Sequence, residues 1–501
     1  MNHGSSSHRI AAALRDDIRA LPAGSALPAT RALTLRFGAG PVTVQQAVRI
    51  LVREGLVETR PGAGTFVRRP MAAPPADYTW QTAALGPLRA EGAFVGSTMQ
   101  TPPVEVIGLH SGYPADELLP ARAVQTALAR AARSRSALDR PPASGLPELR
   151  AWFADELARP GTHRTAAALS AEGAPAGGAA ACGSPGGAAA AAPVVAAPSA
   201  GDVTIMPGGQ SALSSVFRAL GRPGDAIIME SPGYGGAIAA ARQAGLVIVP
   251  VPRDGAAVDP LVLAEAFERS RARLFYAMPH FANPTGGSWS PGEADRILAV
   301  VRENGAFLIE DDWAHDFALD LPVRPLAARD AGGHVVYVRS LTKSVSPAVR
   351  IAAVVARGPA RSRIQTDRVV DGLYVSGVLQ TAALEVVGAP SWPGHLRRMR
   401  EQLRLRRDSL VALIDELLPA GTLTAVPQGG LNLWLRLPAG VEAPEFVARA
   451  AEAGVLVSPG DEWFPAEPTG GFVRLNYSGP DPSRFGEGVR ILAATLDRLT
   501  R

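Results

Sequence analysis

Lysine is nearly missing from this chain. Of 501 residues, 50 are Lys or Arg, and Lys343 alone is a lysine. Arginine supplies a permanent cation, but it does not give up its proton and attack a carbonyl as a primary amine does. A single retained lysine therefore suggests an amine that forms an imine with an aldehyde. A solvated lysine kept by chance is the plainer alternative, and the neighbouring residues must decide. Cysteine is as scarce. Cys182 is the only one, which excludes an internal disulfide and a cysteine-based zinc site and fits a reducing compartment. It lies in an Ala/Gly tract, where an incidental exposed thiol is the ordinary reading. Long apolar runs are lacking too: no stretch of large apolar residues would span a bilayer, and MNHGSSSHRI has no signal-peptide apolar core. A cytoplasmic protein without a membrane partner or a metal site is expected.

What is present suffices for large cores. Hydrophobic residues make up 47% of the chain, and its length corresponds to roughly two to four domains. Charge is unevenly spread. Residues 1–70 hold ten Arg against Asp16, Asp17, Glu54 and Glu58, a net of +6, where the whole chain carries +4. A small basic module on a near-neutral body points to a polyanion partner for the module alone.

Within that module Ile10, Leu14 and Ile18 recur at helical spacing. After Pro22 and Gly24, residues 29–37 read as a second short helix opened by Thr30, and a third is expected from about Val42 to Glu54. In the third, Val44, Ala47, Val48 and Leu51 share one face, leaving Gln45, Gln46, Arg49 and Arg53 outward. LVETRPGAGTFV reads as a hairpin wing turning at Pro61, Gly62 and Gly64 and flanked by Arg60 and Arg68. Its glycines let the backbone come close to a phosphate or a minor groove. Through ALPATRAL (26–33), TVQQAV (43–48) and EGLVETRPGAGTFV (54–67), the module resembles the winged helix-turn-helix of the GntR family. The resemblance implies double-stranded promoter or operator DNA as partner, with Arg31, Thr43, Gln45, Arg49 and Gly64 as contacts. One departure stands out: Gly40-Pro41 replaces the family's Ser-Arg. That removes a phosphate contact and puts proline in the first turn of the helix.

Residues 71–104 carry scattered Pro, Gly and Thr with little periodicity, as a linker does. Residues 162–201 are almost entirely Ala, Gly, Pro and Ser. Without large apolar residues they read as a low-complexity, disordered insertion; an Ala-rich helix is the competing reading, which the Gly and Pro oppose.

From Asp202 onward, short apolar runs (VTIM, AIIME, LVIVPV, RLFYAM, AFLIEDD, VVYVRS) alternate with helical patterns. This predicts a mostly parallel α/β sheet whose strand ends present loops to a ligand. Each chemically notable residue falls just after such a run or at its end. Gly208, Gly209 and Gln210 open a helix, where free N–H groups can cradle a phosphate. Tyr234 can stack on a flat cofactor, and Asn283 offers an amide to a phenolic oxygen. Glu310, Asp311 and Asp312 end an apolar strand, and one of them should meet a cation such as a protonated pyridine nitrogen. Ser340, Thr342 and Lys343 follow, then Arg350 to pair with a phosphate. These features together point to pyridoxal 5'-phosphate.

The order GGQ, ESPGY, NPTG, EDD, SLTK resembles the class I/II aminotransferases of fold type I over residues 105–501. The resemblance implies Lys343 as the catalytic lysine and internal aldimine, Asp311 on the pyridine nitrogen, Asn283 toward the ring oxygen and Tyr234 stacking. It implies Gly209, Gln210, Ser340 and Arg350 around the phosphate, and Arg474 of GGFVRLNYS as the carboxylate-binding arginine. Two positions depart from the pattern: Trp313 and Arg140 each stand where a tyrosine is usual. From about Leu379 a long helix is expected, followed by a smaller C-terminal α+β lobe.

The expected fold is thus an N-terminal winged helix-turn-helix plus an α/β fold type I aminotransferase-like domain, an arrangement that resembles the MocR subfamily of transcriptional regulators. That resemblance implies a homodimeric, DNA-binding regulator sensing pyridoxal phosphate, an amino acid or an amine by aldimine exchange at Lys343. An aminotransferase in which Lys343 also shuttles a proton is the alternative. A DNA-binding protein with a cofactor-free body is a third reading.

Overall fold

The computed structural model describes residues 6–68, 81, 85, 101–159, 197–254, 256–479 and 481–501. Cys182, most of the linker expected over 71–104 and most of the tract expected over 162–201 lie outside them. The chain divides into two compact units, Met1–Pro87 and Leu88–Arg501.

The first unit contains α1 (Ser6–Arg19), α2 (Thr30–Phe37), α3 (Pro41–Arg53), β1 (Val57–Arg60) and β2 (Gly64–Val67). Its core is the apolar periodicity of the sequence made solid: Ile10, Leu14 and Ile18 from α1 meet Leu33, then Val44, Ala47 and Leu51 from α3. The Gly40-Pro41 departure has a structural outcome. Gly40 is extended and Pro41 takes the first helical position, where a missing N–H leaves no hydrogen bond unmade. The wing is an antiparallel hairpin with register running from Val57↔Val67 to Arg60↔Gly64. Gly62 and Gly64 turn it at φ of +78° and +116°, conformations that side-chain-bearing residues rarely adopt.

The second unit opens with β3 (Ile107–Gly108), α4 (Ala121–Arg133) and α5 (Pro147–Ala158). Then come β4 (Val203–Met206), α6 (Gly209–Leu220), β5 (Ala226–Ser231), α7 (Gly235–Gln243), β6 (Val247–Asp254), β7 (Ala257–Val258), α8 (Pro260–Ser270) and β8 (Leu274–Ala277). The α/β layer closes with α9 (Pro291–Glu303), β9 (Phe307–Asp312), β10 (Val335–Ser340) and β11 (Ala352–Val355). These strands form one eight-stranded sheet in the order β4-β11-β10-β9-β8-β5-β6-β7. Pairing is parallel from β10 through β6, while β11 runs antiparallel to both β10 and β4, and β7 to β6. Strands covered on both faces read as continuous apolar runs; β4, β8 and β11 are buried at every residue.

After α10 (Gly358–Gly372), the single long helix expected from about Leu379 is two: α11 (Gly377–Val387) and α12 (Trp392–Leu417). Gly388 and Pro390 lie at the break, glycine being a poor helix former and proline unable to continue one. The smaller lobe adds β12 (Asn432–Arg436), α13 (Ala443–Glu452), β13 (Val455–Leu456), β14 (Ser458–Pro459), β15 (Phe472–Asn476) and α14 (Phe485–Leu499). Its sheet order is β12-β15-β14, all antiparallel, and β13 pairs with β3. Among the described residues no helix is long and apolar enough to cross a membrane.

Candidate functional site

The three acids that end β9 have three different fates. Glu310 accepts the backbone N–H groups of Leu326 and Ala327 at 2.9 and 3.0 Å. Burial, reinforced by the charge of Asp312, pushes its carboxyl up to about 8. Asp312 accepts the Tyr337 hydroxyl and contacts His315 Nδ1, each at 2.6 Å. Burial pushes Asp312 up, but His315 and Tyr337 outweigh it and hold the carboxyl down at about 2. Asp311 points to the opposite face of the strand and receives one hydrogen bond, from the Tyr276 hydroxyl at 2.8 Å. Burial raises it to about 6 against the pull of Tyr276 and of the Lys343 charge. Of the three, Asp311 is the one left to face a ligand.

It faces a cavity of about 100 Å³. All eight residues expected to bind the cofactor line it: Gly209, Gln210, Tyr234, Asn283, Asp311, Ser340, Lys343 and Arg350. They come from the carboxyl ends of β4, β5, β8, β9 and β10 and from the turn before β11, as the edge of a parallel sheet dictates.

Lys343 lies with its Nζ 4.1 Å from the centre of the Trp313 ring. Among the described residues it makes no hydrogen bond or ion pair. Burial, and then the charge of Arg474, push its amine down to about 7, with Asp311 opposing. At one end of the cavity Gly208 has φ +96°, and a Cβ there would stand 2.5 Å from Arg350 Nη2. Glycine is thus what lets the guanidinium lie along the start of α6, whose first-turn N–H groups have no partner within the helix. Ser340 Oγ closes that end and is held by Thr342, donating to its Oγ1 at 3.0 Å and accepting its N–H at 3.2 Å.

The ring of Tyr234 is fixed through its hydroxyl, which donates to Gln210 Oε1 at 3.0 Å, while Gln210 Nε2 donates to the Gly236 carbonyl at 2.7 Å. Asn283 Oδ1 accepts from Asn432 Nδ2 and Arg474 Nη1, each at 3.3 Å. Its Nδ2 is thereby left as the donor toward the cavity. Arg474 is buried behind Asn283 and does not line the cavity. Its Nη2 donates to the His110 carbonyl at 2.6 Å and to Ser458 Oγ at 3.3 Å, and its guanidinium lies 4.5 Å from the Trp463 ring centre. A carboxylate seeking both prongs of Arg474 would have to displace the His110 carbonyl. Trp313 donates its Nε1 to the Phe281 carbonyl at 3.1 Å, turning only its ring face to Lys343. Arg140 is exposed and is not part of this cavity.

Sequence reasoning passed over Tyr276, which fixes Asp311, and Tyr113, which lines the cavity together with Leu213 and Met278. Tyr276 lies on β8, the strand that pairs with β9.

In the first unit Arg31, Gln45, Arg49 and Gly64 are exposed and Thr43 is half-buried. The four acids among its described residues are taken up in ion pairs: Asp16 with Arg19, Asp17 with Arg36, Glu54 with Arg15 and Glu58 with Arg60. Arg9, Arg31, Arg49, Arg53 and Arg68 make none among the described residues, so the uncompensated charge falls on one arginine each of α1 and α2, two of α3 and one at the end of the wing.

Comparison with known proteins matches residues 188–492 to aminotransferase class I and II and residues 6–67 to bacterial regulatory proteins of the gntR family. The chain is 31% identical over 302 residues to the 2-aminoadipate transaminase of Thermus thermophilus, covering 60% of this chain and 76% of that one. It is 28% identical over 496 residues to the probable rhizopine catabolism regulatory protein MocR of Rhizobium meliloti, covering 96% of this chain and 92% of that one. Among solved structures, LysN of Thermus thermophilus is similar. This alpha-aminoadipate aminotransferase, complexed with N-(5'-phosphopyridoxyl)-L-leucine, has a TM-score of 0.70 and 26% identity over 82% of this chain and 96% of that one.

Proposed function

This chain belongs to the aminotransferase class I and II family and carries a gntR-family DNA-binding module at its N-terminus, the fusion found in MocR regulators, and on that premise we propose a transcriptional regulator that holds pyridoxal phosphate at Lys343. It senses the cofactor, or an amino acid or amine that competes with Lys343 for it. The observation that carries this reading is the convergence of eight residues from separate loops on one cavity around the chain's single lysine. In domain terms, residues 1–70 bind DNA, 71–104 link, and 105–501 sense.

When bound, pyridoxal phosphate supplies an aldehyde that takes up primary amines reversibly and a ring that withdraws electrons when its nitrogen is protonated. The groups that line the cavity fit it. Arg350, Ser340 and the N–H groups at Gly209 and Gln210 would hold the phosphate, and only glycine at position 208 leaves room for the Arg350 guanidinium. Asp311, steadied by Tyr276, places a negative charge for the ring nitrogen. Asn283 Nδ2 would donate to the ring oxygen, and Tyr234 would cover a ring face. Arg474, just behind Asn283, would take an effector carboxylate only by giving up its hydrogen bond to the His110 carbonyl.

Because burial brings the Lys343 amine down to about 7 from 10.5, and only the neutral amine attacks a carbonyl, capture of pyridoxal phosphate should speed up as pH rises through about 7 and level off above it. Stopped-flow absorbance between pH 6 and 10 checks this. A rate that keeps climbing toward pH 10 would mean an amine with its ordinary affinity for protons.

DNA binding and sensing are coupled if the liganded and unliganded states of a homodimer present its two winged helices differently. A promoter duplex titrated at fixed salt with the apo chain, with pyridoxal phosphate, and with an amine panel should show a ligand-dependent change in affinity. Affinity unchanged by all of them would end the sensor reading. The transaminase reading draws on the near-neutral amine of Lys343, and complete turnover of an amino acid plus a 2-oxo acid would favour it. Trp313 offers no phenol hydroxyl where aminotransferase-like relatives of this fused type commonly have one.

A further inference from the structure

The exposed face of α3 carries an unusual order of side chains. Its first two turns present Val42, Gln45 and Gln46, and arginine enters only at Arg49 and Arg53. The buried residues Val44, Ala47 and Leu51 pack into the core of the unit, so this face is fixed outward. Val42 is 76% exposed, an isopropyl group with no apolar neighbour to cover it. Gln45 and Gln46 are exposed and make no hydrogen bond to the protein among the described residues, so both amides keep their donors and acceptors. Among the described residues of this unit no acid competes for them, because Asp16, Asp17, Glu54 and Glu58 are held in ion pairs.

Base edges in the major groove discriminate among these side chains. A glutamine amide offers one donor and one acceptor, which match adenine N7 and N6; a guanidinium offers two donors, which match guanine O6 and N7; an apolar group packs on the thymine methyl. A recognition helix meets base edges with its N-terminal residues. Here those residues are an isopropyl group and two amides, with Pro41 ahead of them.

We infer that the first two turns of α3 read A·T base pairs, Gln45 and Gln46 contacting adenine and Val42 contacting a thymine methyl, while Arg49 and Arg53 hold the flanking backbone. The inference rests on the DNA-binding reading above and adds the base composition of the site. It assigns Val42 and Gln46 roles beside Gln45 and makes Pro41 a positioning residue that starts the helix without a side chain able to hydrogen-bond a base.

The test uses the full chain and a pool of random-sequence duplexes selected at fixed salt, followed by fluorescence anisotropy on the enriched duplex. Each half-site should hold A·T pairs at its core. Replacing the thymines there by deoxyuridine, which removes only the methyl groups, should weaken binding several-fold for the wild type and leave Val42→Ser, whose polar side chain gains nothing from a methyl group, indifferent. Gln45→Arg should move the preference at one position from adenine to guanine by about 5- to 100-fold. These side chains are exposed, so thermal unfolding of both variants should match the wild type and exclude misfolding as the cause. Enrichment of G·C cores, or a wild type indifferent to deoxyuridine, would overturn the inference while leaving DNA binding intact. Failure to retain any duplex at low salt would instead remove the DNA-binding reading itself, and the inference with it.

Discussion

Replacing Lys343 by alanine should abolish covalent retention of pyridoxal phosphate after borohydride reduction and lower any amine-transfer turnover by about a thousandfold or more, the scale expected when a nucleophile and proton carrier is lost. No other lysine exists to take its place, so the wild type should retain one label per chain and the variant none, by intact mass. The same substitution has a stability signature. In the folded chain the amine holds its proton only below about 7, against 10.5 as the ordinary value. Between those values the unfolded chain binds more protons, so the burial of Lys343 costs stability most at and below pH 7, and the cost fades as pH rises to 10.5. The stability of apo Lys343→Ala relative to apo wild type should therefore decline as pH climbs through that window. Labelling of the variant at wild-type stoichiometry would place the reactive amine elsewhere.

The second large effect is structural and reaches the site from below. Glu230 and Arg253 form an ion pair at 2.6 Å with side-chain exposures of 2% and 0%. Glu230 also accepts the Met278 N–H at 3.1 Å and the Trp289 indole N–H at 3.2 Å. Arg253 donates to the carbonyls of Met278, Ala256 and Gly287 at 3.3, 2.5 and 3.1 Å. The pair thus clamps both ends of the segment from Met278 to Trp289, which carries Asn283. Glu230→Ala would leave a buried guanidinium without its counter-charge, a loss of about 3–5 kcal/mol, read by chemical denaturation of the full chain. Cofactor affinity should fall as well, because the segment presenting Asn283 loosens. Glu230→Gln, which keeps an acceptor but not the charge, should lose less. A Glu230→Ala protein within about 1 kcal/mol of wild type would mean that water or a shift of Arg253 compensates the charge.

Much of the site was legible because its chemistry lies at strand ends. A parallel sheet brings those ends to one edge, so Gly209, Tyr234, Asn283, Asp311 and Lys343, each just beyond or at the end of an apolar run, could be expected to meet before any contact was known. What needed the structure was register and facing. Nothing in the run Glu310-Asp311-Asp312 distinguishes three adjacent carboxylates; the pairing of β8 with β9, Tyr276 opposite Ile309, puts a tyrosine hydroxyl on the face of Asp311 and not of its neighbours. Strand β11 gives no signal of its reversal, since an antiparallel buried strand and a parallel one have the same composition. The engagement of Arg474 by the His110 carbonyl joins residues 364 positions apart, beyond any local pattern. In the first unit the three helices and the wing were legible from periodicity and glycine placement. That the arginines left without ion pairs include Arg31 and Arg49 emerged only once the four acids were seen to be paired.

In the proposed regulator one lysine links a small amine to DNA. The most direct measurement is a single set of anisotropy titrations of a promoter duplex at fixed salt by wild type and Lys343→Ala, each as apo protein, with pyridoxal phosphate, and with pyridoxal phosphate plus amine. The wild-type affinity should change with ligand and the Lys343→Ala affinity should stay at one value throughout. Equal ligand responses in the two proteins, or none in the wild type, would contradict that link.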